Sequence, residues 1–323
     1  MLDQYGRVIN YLRISVTDRC NLRCCYCMPE GVQDVGMKNI LTFEEIWEIV
    51  RTGVSLGITH IRITGGEPLV RKGCVDLIRG IREIPGVETI TMTTNGVLLG
   101  NYAKQLKEVG VDSVNISLDT LDPEEFYKIT GKRELQEVLA GIRAAKTAGL
   151  QVKLNAVNRK ELDPLPLVRY AQKENLPLRF IEMMPVGYGK KYVGRSNEEL
   201  RKTLATVCGK PECITDREEL SRMGSGPAVY YRFSDLKVPV GFISAIHGKF
   251  CDTCNRIRLT AEGYLKLCLC YDKGADLRRA LREGEKENLR TIMEETIFQK
   301  PAAHCFEHPA EMTETHEMIK IGG

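Results

Sequence analysis

Cys20, Cys24, Cys25 and Cys27 crowd into one short run, Cys20-Asn-Leu-Arg-Cys24-Cys25-Tyr26-Cys27. Cubane four-iron clusters are normally held by four thiolates. Three cysteines spaced as Cys20, Cys24 and Cys27 would leave one iron without a protein ligand. An open metal position is where substrate chemistry takes place. Cys25 sits off that register. A three-cysteine zinc site, or plain buried thiols, stands as the alternative.

A second group, Cys251, Cys254, Cys268 and Cys270, surrounds the run Cys251-Asp-Thr-Cys254-Asn-Arg256-Ile257-Arg258-Leu-Thr260. Gly263 lies in a short polar break between two strand-like runs, which predicts a hairpin with a left-handed glycine. With Ala261–Gly263 as its loop, Cys268 falls roughly opposite Arg256 and close to Cys254. Three thiolates then converge on a basic strand. A structural zinc knuckle closed by Cys270 or His247 is the alternative, and Cys270 competes with Cys268 as the third ligand.

The elements that must hold these residues alternate between strand and helix. Strands are expected at Tyr11–Val16, His60–Thr64, Glu88–Thr93, Ser113–Ser117, Gln151–Val157 and Pro177–Glu182. Helices are expected at Thr42–Ser55, Cys74–Glu83, Asn101–Val109, Glu134–Ala148 and Leu165–Lys173. Such alternation implies a parallel sheet with crossover helices. Buried parallel strands usually read as continuous apolar runs, but these alternate. One face carries Leu12, Ile14, Ile61, Ile63, Ile90 and Met92, and the other Arg13, Arg62, Thr91, Thr93, Asn115, Lys153 and Arg179. A complete eight-stranded barrel fills its interior with Val, Ile and Leu. A polar interior fits an open, partial barrel of about six strands whose lumen holds ligands; an open sheet with one solvated face has the same periodicity. The expected fold is therefore α/β: a partial (β/α)6 TIM-type barrel over residues 1–190, then a smaller C-terminal α+β region over 191–323. That region has short strands at Val229–Phe233, Val238–Ser244, Asn255–Thr260 and Tyr264–Leu267, and two helices after Gly274. From about Pro301 the chain is weakly periodic and His-rich, and reads as a mobile, solvated terminus up to Gly322-Gly323.

Composition narrows the classes. Among 323 residues, 43% are hydrophobic and 28% charged, as in an ordinary globular protein. A net charge of +3 is too weak to imply nucleic-acid binding. No signal-peptide core or membrane-length apolar run occurs, so a cytoplasmic protein with no membrane partner is expected. Twelve cysteines are many for a reducing compartment, and two tight clusters in a long chain indicate metal sites rather than disulfides.

Cys20-x3-Cys24-x2-Cys27, with Tyr26 before the last cysteine, resembles the signature of the radical S-adenosylmethionine (SAM) superfamily. Gly65-Gly66-Glu67-Pro68, directly after a strand, resembles its glycine-rich segment beside the SAM methionyl amino group, where close backbone approach needs glycine. That resemblance implies that Tyr26, Gly66, Ser117 and Met184 bind SAM. Over its whole length the chain resembles the GTP 3′,8-cyclase family of molybdenum-cofactor biosynthesis. The resemblance rests on LRISVTDRC, RITGGEP, TTNG at Thr93–Gly96, SLD at Ser117–Asp119, RFIEMMP at Arg179–Pro185, FCDTCNRIRLT and the terminal IGG.

By that resemblance the chain carries two [4Fe-4S] clusters. One, on Cys20, Cys24 and Cys27, cleaves SAM; the other, on Cys251, Cys254 and Cys268, meets the purine of GTP. A 5′-deoxyadenosyl radical takes hydrogen from the ribose 3′ carbon and the sugar radical closes on purine C8. Arg13, Arg62, Thr93, Lys153, Arg256, Ile257 and Arg258 would bind GTP, and Arg179, Gly322 and Gly323 would serve catalysis. A buried cationic set needs a partner, and a triphosphate supplies several negative charges. For any single arginine, a salt bridge to Glu67, Asp119 or Glu182 is the plainer explanation. The implied partners are a low-potential electron donor and a downstream pyranopterin-forming enzyme. A homodimer is admitted but not required. His304, His308 and His316 receive no role, and neither the reductant nor the final hydrogen donor is legible.

Overall fold

In the computed structural model the described residues are 1–31, 36–192, 194–224, 226–284 and 288–322. Ten helices and twelve strands are found among them. The strands are β1 (Tyr11–Ser15), β2 (His60–Thr64), β3 (Thr89–Thr94), β4 (Ser113–Ser117), β5 (Gln151–Asn158), β6 (Leu178–Glu182), β7 (Pro211–Cys213), β8 (Val229–Phe233), β9 (Val240–Ile243), β10 (Arg256–Leu259), β11 (Tyr264–Lys266) and β12 (Gly274–Asp276). The helices are α1 (Phe43–Ser55), α2 (Cys74–Arg82), α3 (Leu99–Glu108), α4 (Pro123–Thr130), α5 (Leu135–Thr147), α6 (Leu165–Glu174), α7 (Asn197–Cys208), α8 (Arg217–Met223), α9 (Leu277–Arg282) and α10 (Leu289–Phe298). No helix among these residues is long and apolar enough to cross a membrane.

All the strands join one sheet, in the order β12-β11-β10-β1-β2-β3-β4-β5-β6-β9-β8-β7. β1 to β6 are parallel, as the alternation of strands and helices predicts. The C-terminal half extends both edges: β10 lies parallel beside β1, and β9 parallel beside β6. Antiparallel strands finish each end. The strands' apolar face carries Leu12, Ile14, Ile61, Ile63, Val114 and Leu154, all wholly buried against Ile46, Ile49, Leu77, Ile78 and Ile142 of the helices. The polar face points the other way. Residues from β1, β2, β3, β4, β5, β6, β9 and β10 line one cavity, so the sheet curls around it as a partial barrel.

Two helices without a sequence assignment have readable start signals. α4 is capped by Asp122, whose carboxylate accepts from the Glu124 and Glu125 amides, with Pro123 opening the helix and Gly131 closing it. α7 opens with a capping box between Ser196 and Glu199. The expected mobile terminus is corrected. Cys305, Phe306, Glu314, Ile319 and Ile321 are buried, and Cys305, Phe306 and Ile321 share a small second core with Val186, Leu269 and Cys270. Their apolar residues follow neither helical nor strand period, because this segment is held side chain by side chain rather than by a repeating backbone pattern.

Candidate active site

The first cysteine group occupies the loop after β1. Its backbone winds into a turn in which the Cys27 and Met28 amides both donate to the Cys24 carbonyl at 2.9 Å. Cys20 Sγ accepts from the Leu22 amide at 3.4 Å and from Asn95 Nδ2 at 3.7 Å. Burial is the chief cause that pushes Cys20 up to about 11 and Cys27 up to about 12, with Cys24 raised as well; Cys27 and Cys20 add to the rise of Cys24, and Cys20 to that of Cys27. Thiolates so little hydrated need positive charge, which a bound metal centre supplies. Cys25 does not share this space: it accepts from Arg159 Nη1 at 3.4 Å. Among the described residues no three His, Cys, Asp or Glu side chains meet as one metal ion would need.

Gly66 closes the same corner. Its amide donates to the Thr17 carbonyl at 2.7 Å, and a Cβ here would stand 2.4 Å from the Arg19 carbonyl oxygen and 2.8 Å from Ile319 Cδ1. Only glycine fits. Glu67, wholly buried, accepts from Thr94 Oγ1, the Asn95 amide and the Leu69 amide, which ties the glycine segment to the end of β3. Burial nevertheless pushes its carboxyl up to about 7. Tyr26 donates to Asp119 Oδ2 at 2.7 Å, and Asp119 Oδ1 accepts from the Val157 amide at 2.8 Å. Ser117, at the end of β4, and Met184, after β6, both line the cavity.

Opposite this corner stands the second group. Gly263 adopts φ +90° and β10 pairs antiparallel with β11, Arg258 facing Lys266, as the predicted hairpin requires. Cys251, Cys254 and Cys268 line the cavity; Cys270 does not. Cys270 Sγ instead lies 2.9 Å from Cys305 Sγ in the second small core. Burial works to raise the Cys254 thiol, but Lys300, Arg256 and Arg258 outweigh it and hold the thiol below its ordinary value. His247 is drawn away to Glu182 at 3.1 Å. His304 stacks on Phe306 and lines the cavity, His316 bonds Glu314, and His308 is exposed, so these histidines form no common site.

Between the two groups the cavity, about 380 Å³, is lined by guanidiniums. Arg13 stands in register with Arg62 on one side and Arg258 on the other. Arg179 donates through Nε to Asn155 Oδ1 at 2.9 Å and through Nη2 to Asn115. Burial, then repulsion from Arg256, lowers Arg258 to about 10; burial, then Arg258 and Arg62, lowers Arg13 strongly. Both side chains keep surface open to the cavity while protein surrounds them. Thr93 Oγ1 and Arg256 Nε are buried with no hydrogen-bond partner among the described residues.

Two expected substrate contacts have other partners among the described residues. Lys153 is not among the lining residues: its ammonium donates to the Met223 carbonyl at 2.7 Å, because β5 turns it toward the α8 end of the cavity wall. Ile257 is wholly buried in the helix-facing core, since alternation puts it on the opposite face from Arg256 and Arg258. Gly322 reaches the site, its carbonyl accepting from Arg258 Nη1 at 3.0 Å; Gly323 lies outside the described residues. Crowding is not what demands glycine at 322, since a Cβ would meet nothing nearer than 3.8 Å. Its left-handed φ of +84° is.

Lys300 went unread in the sequence. It lies buried in the wall, donates to the Arg256 carbonyl at 2.9 Å and to the Leu267 carbonyl, and so ties β10 to the Cys268 end of the hairpin. Arg7 likewise donates to the Cys251 carbonyl at 2.8 Å while paired with Asp3. Neither sits in a motif; only the tertiary contacts single them out.

Residues 14–162 match the family model described as Radical SAM superfamily, and residues 176–306 the model described as Molybdenum Cofactor Synthesis C. A GTP 3′,8-cyclase of Clostridium perfringens (strain SM101 / Type A) is 43% identical over 330 residues, covering all of both chains. One from Peptoclostridium acidaminophilum is 45% identical over 336 residues, covering 100% of this chain and 98% of its own. Among solved structures, Streptococcus suis SuiB bound to S-adenosylmethionine matches with a TM-score of 0.62 at 15% identity, over 81% of this chain and 61% of that one. Native anSMEcpe with bound AdoMet matches with a TM-score of 0.58 at 17% identity, over 92% and 82%. At such identities these two show the fold alone.

Proposed function

The chain belongs to the GTP 3′,8-cyclase family of radical SAM enzymes, and we propose that the cavity between the two cysteine groups holds SAM at the Cys20–Gly66 corner and GTP against the Arg13–Arg258 wall. The activity is conversion of GTP to 3′,8-cyclo-7,8-dihydro-GTP, the first step of molybdenum-cofactor biosynthesis, with a [4Fe-4S] cluster and SAM as cofactors. Cys20, Cys24 and Cys27 would hold the cluster, which would supply the electron for cleavage of SAM to methionine and a 5′-deoxyadenosyl radical.

The protein's own part is positioning. Gly66 leaves room for the methionyl amino group, while Tyr26, fixed by Asp119, and Ser117 and Met184 border the nucleoside. Arg13, Arg62, Arg256 and Arg258 neutralise the triphosphate, and the orphan Thr93 hydroxyl gains a partner. Lys153 supports this wall electrostatically, and Ile257 through its backbone alone. Arg179, held by two asparagines, presents a fixed cation to the reacting sugar and purine. Holding the ribose 3′ carbon near the radical and shutting out water are worth large factors in rate.

We read Cys251, Cys254 and Cys268 as the residues that would hold a second [4Fe-4S] cluster, which would bind the purine. The donor set supports this: three thiols converge beside Lys300, Arg256 and Arg258, which favour the thiolate of Cys254. In this reading residues 1–190 carry SAM chemistry and 191–323 the substrate region. The electron donor is of low potential, the product passes to a pyranopterin-forming enzyme, and the setting is cytoplasmic. A homodimer would leave this cavity unchanged, since one chain supplies every residue named.

The observation that carries the reading is a cavity shared by a cysteine triplet at each end and arginines between. It is tested by anaerobic incubation with SAM, dithionite and each nucleoside triphosphate in turn. GTP should give 5′-deoxyadenosine together with a cyclised product. Equal turnover of ATP or CTP would overturn the substrate assignment.

A further inference from the structure

Lys266 and Glu314 form an ion pair with both side chains almost wholly buried, joining β11 to the C-terminal tail. Other polar contacts surround the pair. Lys266 Nζ also donates to the Tyr271 carbonyl at 2.9 Å. Glu314 Oε1 accepts from the His316 amide at 2.7 Å and is 2.8 Å from His316 Nδ1, and the Glu314 amide reaches the Cys270 carbonyl at 3.3 Å. A buried pair of this kind is a poor source of stability, because desolvating two charges consumes most of what their attraction returns. Its best-attested use is to specify register: one acid at one position in an otherwise irregular segment can satisfy Lys266.

What that register determines lies a few residues further on. The tail's last turn, Met318–Ile321, runs between the two ends of the cavity. At one end the Ile319 amide donates to the Cys27 thiol, and the Ile319 side chain covers Gly66. At the other, the Gly322 carbonyl accepts from Arg258 Nη1. Slipping the tail by one residue would break both contacts together, since Ile319 and Gly322 sit on one short turn. The hydrophobic contact of Ile319 does not by itself prevent such a slip, because the neighbouring Met318 could take its place.

We propose that the Lys266–Glu314 pair is a positioning device for cyclisation, setting the tail's register so that Ile319 meets the Cys27–Gly66 corner while Gly322 meets Arg258. This rests on the reading that the tail end takes part in the reaction. With the tail out of register, the SAM corner keeps its cysteines and its glycine, and the arginine wall keeps its charges. Radical generation then continues while its delivery to the sugar fails. The pair acts through the tail and touches neither ligand, so its signature is uncoupling rather than loss of binding.

The test uses the full-length protein with clusters loaded anaerobically. Lys266→Met alone would strand a buried carboxylate and risk misfolding, so the decisive variant is the double replacement Lys266→Met/Glu314→Met, which removes both charges and keeps the volume. Iron content and KM for GTP should stay near those of the parent protein. The ratio of 5′-deoxyadenosine released to GTP cyclised should rise on the order of tenfold or more. Amide hydrogens of residues 317–322 should exchange faster. A purely structural role would lower both products together, so an unchanged ratio overturns the proposal. Deleting Gly322 and Gly323 in the parent protein separates the two ideas. If the deletion leaves cyclisation normal, the tail reading itself fails and this inference with it. If the deletion uncouples but the double replacement does not, the anchor alone is refuted.

Discussion

Arg13 and Arg258 face each other in register on the neighbouring parallel strands β1 and β10, with Arg62 at the same level on the far side of Arg13. Burial first, and then repulsion among the guanidiniums (from Arg258 and Arg62 on Arg13, from Arg256 on Arg258), push Arg13 and Arg258 below their ordinary pKa values. An anion that binds among them relieves that repulsion. GTP, and more weakly inorganic triphosphate, should therefore raise the melting temperature of the protein under anaerobic conditions, and guanosine should not. Arg258→Ala removes a charge-assisted contact, about 1.5–3 kcal/mol or roughly 10- to 150-fold in GTP affinity, with SAM affinity nearly unchanged. Equal weakening of SAM would mean that Arg258 organises the fold rather than the substrate.

Iron counting separates the ligands. Anaerobic reconstitution should load about eight irons per chain, four for each cubane. Cys20→Ser should lose about half and all SAM cleavage, and Cys251→Ser or Cys268→Ser the other half with some cleavage surviving. Cys270→Ser should keep the full complement, because that thiol is turned toward Cys305. Retention of all the iron by Cys251→Ser would remove the second cluster.

Lys153 sets a pH dependence. Burial, and then repulsion from Arg179 and Arg62, lower its folded pKa to about 8 from an ordinary value of 10.5. Between those values the unfolded chain binds more protons than the folded one, so stability rises with pH in that window. Below about 8 the ammonium is charged in both states and its burial destabilises the fold in full. Urea titrations at intervals from pH 7 to 10.5 should show Lys153→Met gaining less from rising pH than the parent. Parallel curves would show that the buried ammonium carries no such penalty.

Gly66 is the most intolerant position of the SAM corner. Alanine there would place its Cβ against the Arg19 carbonyl, a backbone atom that cannot step aside without moving the Cys20 loop. Gly66→Ala should abolish SAM binding in equilibrium dialysis while GTP binding survives. Normal SAM binding would detach the glycine segment from that role.

What the amino-acid sequence determined by itself is local and periodic. Cys20, Cys24 and Cys27 lie in one turn, and the alternation of Arg13 with Leu12 and Ile14 needs only a two-residue repeat to separate lumen from core. The hairpin at Gly263 needs only a left-handed glycine, and it carries Cys268 back beside Cys254. The tertiary structure alone decided what distant segments do to one another. β10 joins β1 rather than a separate sheet, which brings Arg258 beside Arg13 from the far end of the chain. Lys153 is spent on the Met223 carbonyl, a partner no spacing reveals. The tail, without any period, is ordered by Lys266, Cys27 and Arg258 one contact at a time. Periodicity is a property of neighbouring residues and survives in the sequence; long-range pairing depends on loop closure and packing, which no local pattern encodes.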